Sequence, residues 1–437
     1  MNQSTRPRRL RTTSFVKCLL LVATLYSASS GSAELDADFS LGVSHSDNVS
    51  RVPTGEVEET IAETGMFLSV VETSRRLDAE VRSDLNYYNY LDNTYDNEVV
   101  AAVDAVVNLT LVEDRVIWRL QENYGRTLFD PFQADRPENW ENVNFLTTGP
   151  AIVVYQDGRN DSGINLSYSR MNYETRPFDN ERQGAGLWIA REVRRDRTLS
   201  LNAEIEKVEF DNGVTPEYER LSTYLRYEGS AGRNTFDVQA GYTEQEILAE
   251  TSDGILLDAS WIRQVSGMSE VYLNVGRRFS DQGNVFRYQQ SITRDVDSVG
   301  DLTENGSPFL LQNIAIGYTL TGDRTTIDLR VGATEQEYET QSELDRKDAV
   351  FDLFIQRDLT RSLFTRVDVT LSKREFMDIQ REDDTLLASL SFGYRLSAAF
   401  DISLRYTRFS RESDAVENEF DENRGNLTLT YIPAWAR

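Results

Sequence analysis

The sequence predicts an all-β chain: a transmembrane, antiparallel up-and-down β-barrel of about 20 strands, with 18 as the nearest alternative count. Three observations predict it. From Glu34 onward, long segments alternate apolar and polar residues; short turns and longer acidic loops alternate between them; and no segment of similar length carries a helical period. A period of two gives each strand one apolar and one wet face. The segments run to about twice the ~5–6 residues usual in soluble sheets and match the ~9–11 tilted residues that cross a bilayer. Hydrocarbon offers the backbone no hydrogen-bond partners, so a sheet placed there must close on itself.

Composition narrows the classes first. The chain has 437 residues, of which 39 % are hydrophobic, and a mean hydropathy of -0.49 excludes a bundle of membrane-spanning helices. Half of each barrel strand never meets lipid, so a barrel is compatible with that value. Aromatics at 10 % are too frequent for a disordered chain. A net charge of -26 argues against a nucleic-acid partner. With 1 His and 1 Cys in the whole chain, most metal and nucleophile chemistry is out of reach, and no cofactor is expected.

Residues 1–33 read as a cleaved signal peptide. Arg6, Arg8, Arg9, Arg11 and Lys17 precede the apolar run Cys18 to Leu25, and Gly31-Ser32-Ala33 supplies small residues before a cleavage point. That run is too short to span a bilayer as a helix. Cleavage after Ala33 would leave a more acidic mature chain, 34–437, without cysteine or disulfides.

Strands come next. Val99, Ala101, Val103, Ala105, Val107, Leu109 and Leu111 occupy every second position of one segment. Leu199, Leu201, Ala203 and Ile205 do so in another, as do Ile327, Leu329, Val331 and Ala333 in a third. Tight turns are expected near 113–115, 195–197, 229–232, 322–324 and 396–398. Longer loops are expected at 47–63, 129–143, 211–217, 281–309, 336–348 and 409–424. Short periplasmic turns and longer outer loops are the usual polarity of an outer-membrane barrel. Aromatics would form interfacial girdles: Tyr87, Tyr124, Phe210, Phe279, Tyr338 and Phe409 loopward, and Trp118, Tyr155, Phe236, Trp261 and Phe400 turnward. Gly425 to Trp435 reads as the closing strand, with Leu427, Leu429 and Tyr431 toward lipid.

The polar face of the strands fills or lines the lumen. Its expected charges are Asp78, Glu80, Arg82, Asp84, Arg119, Glu204, Glu206, Asp328, Arg330, Asp352, Arg366, Asp368, Asp401 and Arg405. Arginine pairs bidentately with carboxylates, so ladders of mixed charge are expected to brace the wall, to screen solutes, or to do both. A net acidic lumen would favour cations or neutral sugars over anionic polymers.

The first mature strand, Phe39-Ser40-Leu41-Gly42-Val43-Ser44-His45-Ser46-Asp47-Asn48-Val49, together with the barrel pattern across 34–437, resembles the outer-membrane β-barrel porins found with exopolysaccharide biosynthesis and export operons, the EpsL-like group. The resemblance implies an outer-membrane location in a Gram-negative bacterium and a role near envelope polysaccharide export. It implies no catalytic residue. Expected partners are outer-membrane lipids and lipopolysaccharide, the barrel assembly machinery, and polysaccharide export components. A non-conducting structural or surface-binding barrel is the alternative, and a lipid-modifying enzyme the third.

An enzyme would need a general base near neutral pH. His45, between Ser44 and Ser46 and before Asp47, is the sole histidine, and its nearest neighbours alternate to the opposite face; the chain is expected to be no enzyme. The acidic loops 47–63 and 409–424 read as solvated, self-repelling surface rather than Ca²⁺ sites, since neither has the spacing of a calcium loop. The same weighing applies to Asp297 to Gly306. Loop 281–309, the longest, with Phe286, Tyr288, Gln289, Gln290 and Ile292, either folds inward as a constriction, forms a short outer hairpin, or is plain surface.

Overall fold

The computed structural model describes residues 33–290 and 307–435. The signal peptide expected over 1–33 lies, except for Ala33, outside the described residues, as does Asp297 to Gly306. Among the described residues the chain forms twenty strands and one α-helix, α1 (Gln282–Gln290). In order the strands are β1 (Glu34–Ser46), β2 (Glu59–Thr73), β3 (Leu77–Tyr90), β4 (Glu98–Val112), β5 (Val116–Leu128), β6 (Trp140–Gln156) and β7 (Asn160–Tyr173). There follow β8 (Asn180–Arg194), β9 (Arg197–Phe210), β10 (Tyr218–Ala231), β11 (Asn234–Ile247), β12 (Glu250–Ser266) and β13 (Ser269–Ser280). After α1 come β14 (Phe309–Thr321), β15 (Thr325–Tyr338), β16 (Arg346–Asp358), β17 (Leu363–Phe376), β18 (Arg381–Arg395), β19 (Phe400–Ser413) and β20 (Phe420–Tyr431).

Each strand pairs antiparallel with its neighbours in sequence, and β20 pairs with β1, from Phe39 opposite Tyr431 to Ser46 opposite Arg424. The sheet is therefore a closed up-and-down barrel. Following the registers once round the ring returns to β1 displaced by roughly 26 residues. With ~3.3 Å of rise per residue and ~4.8 Å between strands, that shear corresponds to a tilt of about 42° and a backbone diameter of about 40 Å. Such a ring is too wide for wall side chains alone to fill.

The outward face follows from exposure and register. Leu41, Leu187, Ile189, Ile255 and Leu404 are 61, 58, 64, 64 and 58 % exposed, which water would penalise and lipid would not. Opposite residues share a face, so the other face, which carries Ser44, Arg82, Glu206 and Asp352, looks into the ring.

The connections divide into a turn end and a loop end. Turns at 113–115, 195–196, 322–324 and 396–399 fall where the alternation breaks. The loop end differs from expectation in two ways. The loops are shorter: 129–139 rather than 129–143, 339–345 rather than 336–348, and 414–419 rather than 409–424, because charged residues at strand ends continue the ladder. The β11–β12 hairpin, moreover, closes at this end on Leu248 and Ala249 alone, both at positive φ (52° and 66°), the backbone of a two-residue hairpin turn. The expected girdle also divides. Tyr87, Trp118, Tyr155 and Phe400 are exposed, and Phe400, Tyr431 and Phe39 stack across the β19–β20–β1 seam. Phe210, Tyr338 and Phe409 instead turn inward: Phe210 packs on Tyr218, Tyr338 on Phe309, and Phe409 lies opposite Glu422.

Candidate functional site

The pairing registers put the fourteen charges on one face of the sheet, the face opposite Leu41, Leu187 and Leu404. Asp78, Asn108 and Arg119 form one rung across β3, β4 and β5. Asp328, Phe354 and Asp368 form another across β15, β16 and β17, and Arg330 stands opposite Asp352. Glu206 stands opposite Arg220, with Glu204 one inward step away. Asp84 lies opposite Phe67, and Asp401 opposite Arg395. The pairing of mixed charges expected of this wall is present at Glu80–Arg82, Arg226–Asp237 (2.7 Å), Arg278–Asp258 (2.5 Å) and Arg395–Asp358 (3.0 Å). Elsewhere the charges engage hydroxyls and amides on neighbouring strands. Asp352 accepts from Thr370 (2.9 Å), Asp368 from Ser389 (3.0 Å) and Glu204 from Tyr224 (2.7 Å), while Arg366 donates to Gln356 (3.0 Å) and Arg405 to Ser391 (3.0 Å).

The densest chemistry lies higher, at the loop end, where three chain segments fold into the ring. The first is the β5–β6 loop, 129–139. Its shape is held from within by Asn139, whose side chain bonds the backbone of Asp130 and Ala134. Phe132 then reaches wall strands roughly a third of the ring away: its ring meets Phe376 of β17 at 5.2 Å, and its carbonyl accepts from Arg381 of β18 at 2.7 Å. Asp383 holds Arg381 in a two-pronged bond (2.9 and 2.6 Å).

The second segment is the β1–β2 loop. Arg51, at φ 48°, binds Asp135 of the first segment (3.1 Å) and Glu422 of β20 (2.8 Å), with its guanidinium 4.5 Å from the Phe409 ring. Burial would lower the Arg51 pKa, but Asp135 and Glu422 outweigh it and the net shift is upward.

The third is α1 with Asp281 before it. Phe286, 1 % exposed, packs into Val143, Phe145, Met171 and Tyr173 of β6 and β7. Asp281 binds Arg182 of β8 (2.7 Å) and Arg220 of β10 (3.2 Å). Burial pushes this carboxyl upward, yet the two guanidiniums prevail and hold it well below the usual carboxylate range. Gln282 donates to the Tyr338 hydroxyl of β15 at 2.6 Å, fixing the helix start to the opposite wall. The first part of the long loop thus folds inward, as one of the sequence readings had it.

Two expectations for the acidic loops are corrected here. Glu59 and Glu422 belong to strands and are 0 and 2 % exposed, not solvated surface. Glu59 accepts the backbone N–H groups of Asp92 (2.8 Å) and Thr94 (3.0 Å), capping the β3–β4 loop. Glu422 is the acceptor shared by Ser46, Arg51 and Arg424. Among the described residues no group of three or more acidic, His or Cys side chains is arranged to hold a metal ion.

His45 is exposed on the outer face, its Nδ1 3.2 Å from Thr60 Oγ1. Ser44 and Ser46 turn inward to Glu63 (2.5 Å) and Glu422 (2.7 Å), so the sheet itself separates them from the imidazole. Sequence reading missed Arg182, Arg220, Arg346, Arg374 and Arg381 on the inner face at the loop end, and gave Arg411 and Arg424 to a loop rather than to that face. Their parity with Glu206, Asp352 and Asp368 was the available signal.

The turn end of the inner face carries a recess of about 700 Å³, lined by Asp161, Glu192, Glu228 and Asp237 together with Arg159 and Arg197. In the turn beside it, Asp157 is held well below its ordinary range by hydrogen bonds from Asn160, Arg159 and Tyr155.

A family model described as "Putative beta-barrel porin 2" matches residues 320–431, the end of β14 through β20. Among solved structures the chain is similar to the FrpB iron transporter from Neisseria meningitidis, at 8 % identity and a TM-score of 0.46, covering 91 % of this chain and 82 % of that one. It is also similar to the siderophore receptor PirA from Pseudomonas aeruginosa (8 %, TM-score 0.44, 92 % and 81 % covered). A third is the outer membrane protein opdK from the same organism (11 %, TM-score 0.38, 92 % and 98 % covered). No curated protein matches the chain. The chain is a porin-like β-barrel.

Proposed function

We propose that this barrel is an outer-membrane channel of a Gram-negative bacterium, closed at its outer mouth by its own loops and serving envelope or exopolysaccharide export. The observation that carries the channel reading is how the mouth is held. Segments from β1–β2, β5–β6 and β13–β14 meet one another and distant wall strands through ion pairs, hydrogen bonds and a few aromatic contacts, and among the described residues no separately folded domain fills the mouth. Ion pairs and hydrogen bonds of that kind can be replaced by those of a ligand, and a ring about 40 Å wide leaves room for an aqueous path beneath them. The outward apolar face supports a membrane setting. Lipopolysaccharide around the wall, the barrel assembly machinery during insertion, and polysaccharide export components are the partners this reading calls for.

Single-channel recording in planar bilayers tests it. The channel reading expects brief large openings over a low basal current. No current from the native chain, nor from a variant whose plug is weakened, would select the second reading, a sealed structural or surface-binding barrel, which the plug itself favours. Brominated phospholipids test the membrane setting: they should quench Trp118 and Trp261, whose rungs are shared with outward residues, and spare Trp188 on the inner face. The export role is read from secreted polysaccharide in a strain lacking the chain. The lipid-modifying reading has no support in the geometry around His45.

A further inference from the structure

The clamp on Asp281 offers more donors than one carboxylate uses. Arg182 and Arg220 are 2 and 9 % exposed and sit two strands apart on one inner patch, with Val208 in the rung between Arg182 and Tyr218. Each gives Asp281 one guanidinium bond. Arg182 also donates to Asn180 (3.0 Å), and Arg220 to Gln245 Oε1 (3.2 Å) and the Phe279 carbonyl (3.1 Å). The Asp281 oxygens additionally accept from the backbone (3.1 Å) and side-chain (2.7 Å) nitrogens of Asn284. Beside this clamp, the Tyr218 hydroxyl and Gln245 Nε2 are buried with no hydrogen-bond partner. Gln245 is 0 % exposed and Tyr218 2 %, and the Arg220 guanidinium lies 5.5 Å from the Tyr218 ring. Arg287 of α1 adds a further cation, bonded to Asn284 (3.1 Å), and Glu206 is the other carboxylate facing the patch.

Buried donors without protein acceptors are rare in folded proteins, and their acceptors come from water, an ion or a ligand. What is missing has a definite chemistry. A carboxylate suits the paired guanidiniums, and hydroxyl oxygens at its side suit a phenol and an amide donor. We propose that Arg182 and Arg220 form a recognition site for a carboxylate-bearing sugar, that Asp281 occupies it as the chain's own stand-in, and that an incoming uronate displaces Asp281 and frees the start of α1. Tyr218 and Gln245 then engage the sugar hydroxyls. The inference deepens the channel reading by naming a class of solute, but binding to the solubilised barrel does not depend on conduction.

The test titrates the detergent-solubilised full chain by calorimetry with galacturonate, an oligogalacturonate, glucose and inorganic phosphate. Native barrel should bind galacturonate weakly, because Asp281 competes. Asp281→Asn should bind it at least tenfold more tightly, Arg220→Gln should lose it, and glucose should not bind. An oligomer binding more tightly per chain than the monomer identifies polymer as the source of the carboxylate; equal affinity identifies the free sugar. In the native chain, galacturonate should also speed tryptic cleavage after Arg287, a readout that needs no variant. Equal affinity in Asp281→Asn and native barrel, retention in Arg220→Gln, or phosphate bound as well as galacturonate would overturn the proposal. Heat-dependent electrophoretic mobility confirms that each variant retains its barrel.

Discussion

Replacing Glu422 by glutamine should open the outer mouth without unfolding the wall. The side chain is 2 % exposed. Its Oε2 accepts Arg51 Nε at 2.8 Å; its Oε1 accepts Arg424 Nη2 at 2.7 Å and Ser46 Oγ at 2.7 Å. Glutamine preserves the shape and removes the charge, leaving two guanidiniums to face an amide. Breaking a buried pair by removing one partner costs about 3–5 kcal/mol. Arg51 keeps Asp135 at 3.1 Å, so the lower figure applies. Because Arg51 belongs to a loop, its share of the cost falls on the closed plug, while the weakened Arg424 and Ser46 contacts stay within the β1–β20 seam in both states. About 3 kcal/mol multiplies the displaced state by roughly two orders of magnitude. Single-channel open probability, with tryptic cleavage after Arg51 as a second readout, measures it. Values within threefold of the native chain, from a variant with intact heat-modifiable mobility, would refute the reasoning.

Three further outcomes follow from the geometry. Leu404→Arg, at an outward position 58 % exposed, should destabilise the membrane-inserted barrel by about 2–4 kcal/mol if it lies at mid-depth; Ser403→Arg on the inner face should cost far less, and urea unfolding in detergent compares them. Gly393→Ala would set a Cβ 2.0 Å from the Phe364 ring on the adjacent strand, and the overpacking should cost about 1–3 kcal/mol, seen as a lower temperature for loss of the compact electrophoretic form. The third is the response to acid. A carboxyl held below its unfolded value contributes stability above about pH 4 and loses it only as pH falls through the depressed value. Asp281 is such a group, so hydrogen exchange in α1 should be flat from pH 8 to 5 apart from the intrinsic exchange rate. A rise in opening centred between pH 5 and 7 would contradict the clamp.

The wall was legible in the sequence because its physics is local. Alternation fixes face and strand, and Ile327, Leu329 and Val331 needed no partner to be read. The count of twenty and the loop 211–217 followed from the same rule. What the rule could not reach is where a strand stops once it has left hydrocarbon. Glu412, Asp421 and Glu422 look like loop residues, yet each still has a rung to join. Phe210, Tyr338 and Phe409 look like interfacial aromatics, but at the loop end an inward ring finds aromatic and cationic neighbours to pack on: Tyr218 for Phe210, Phe309 for Tyr338 and Arg51 for Phe409. The clamp was the least legible part. Arg182 and Asp281 are 99 positions apart, and only the inward fold of the segment after β13 brings them together.

The seam between first and last strands has a consequence for how this chain is made. Its ladder runs from Phe39–Tyr431 to Ser46–Arg424, and among the described residues Glu34 to Asp38 pair on the β2 side alone. A nascent ring therefore stays an open ribbon until β20 arrives, and among the described residues no strand pairs with the free side of the opening half-strand afterwards. Glu34, Asp36 and Asp38 stud that edge with negative charge, which discourages a second copy from zipping onto it. Neutralising those three acids should make the barrel more prone to stick edge to edge.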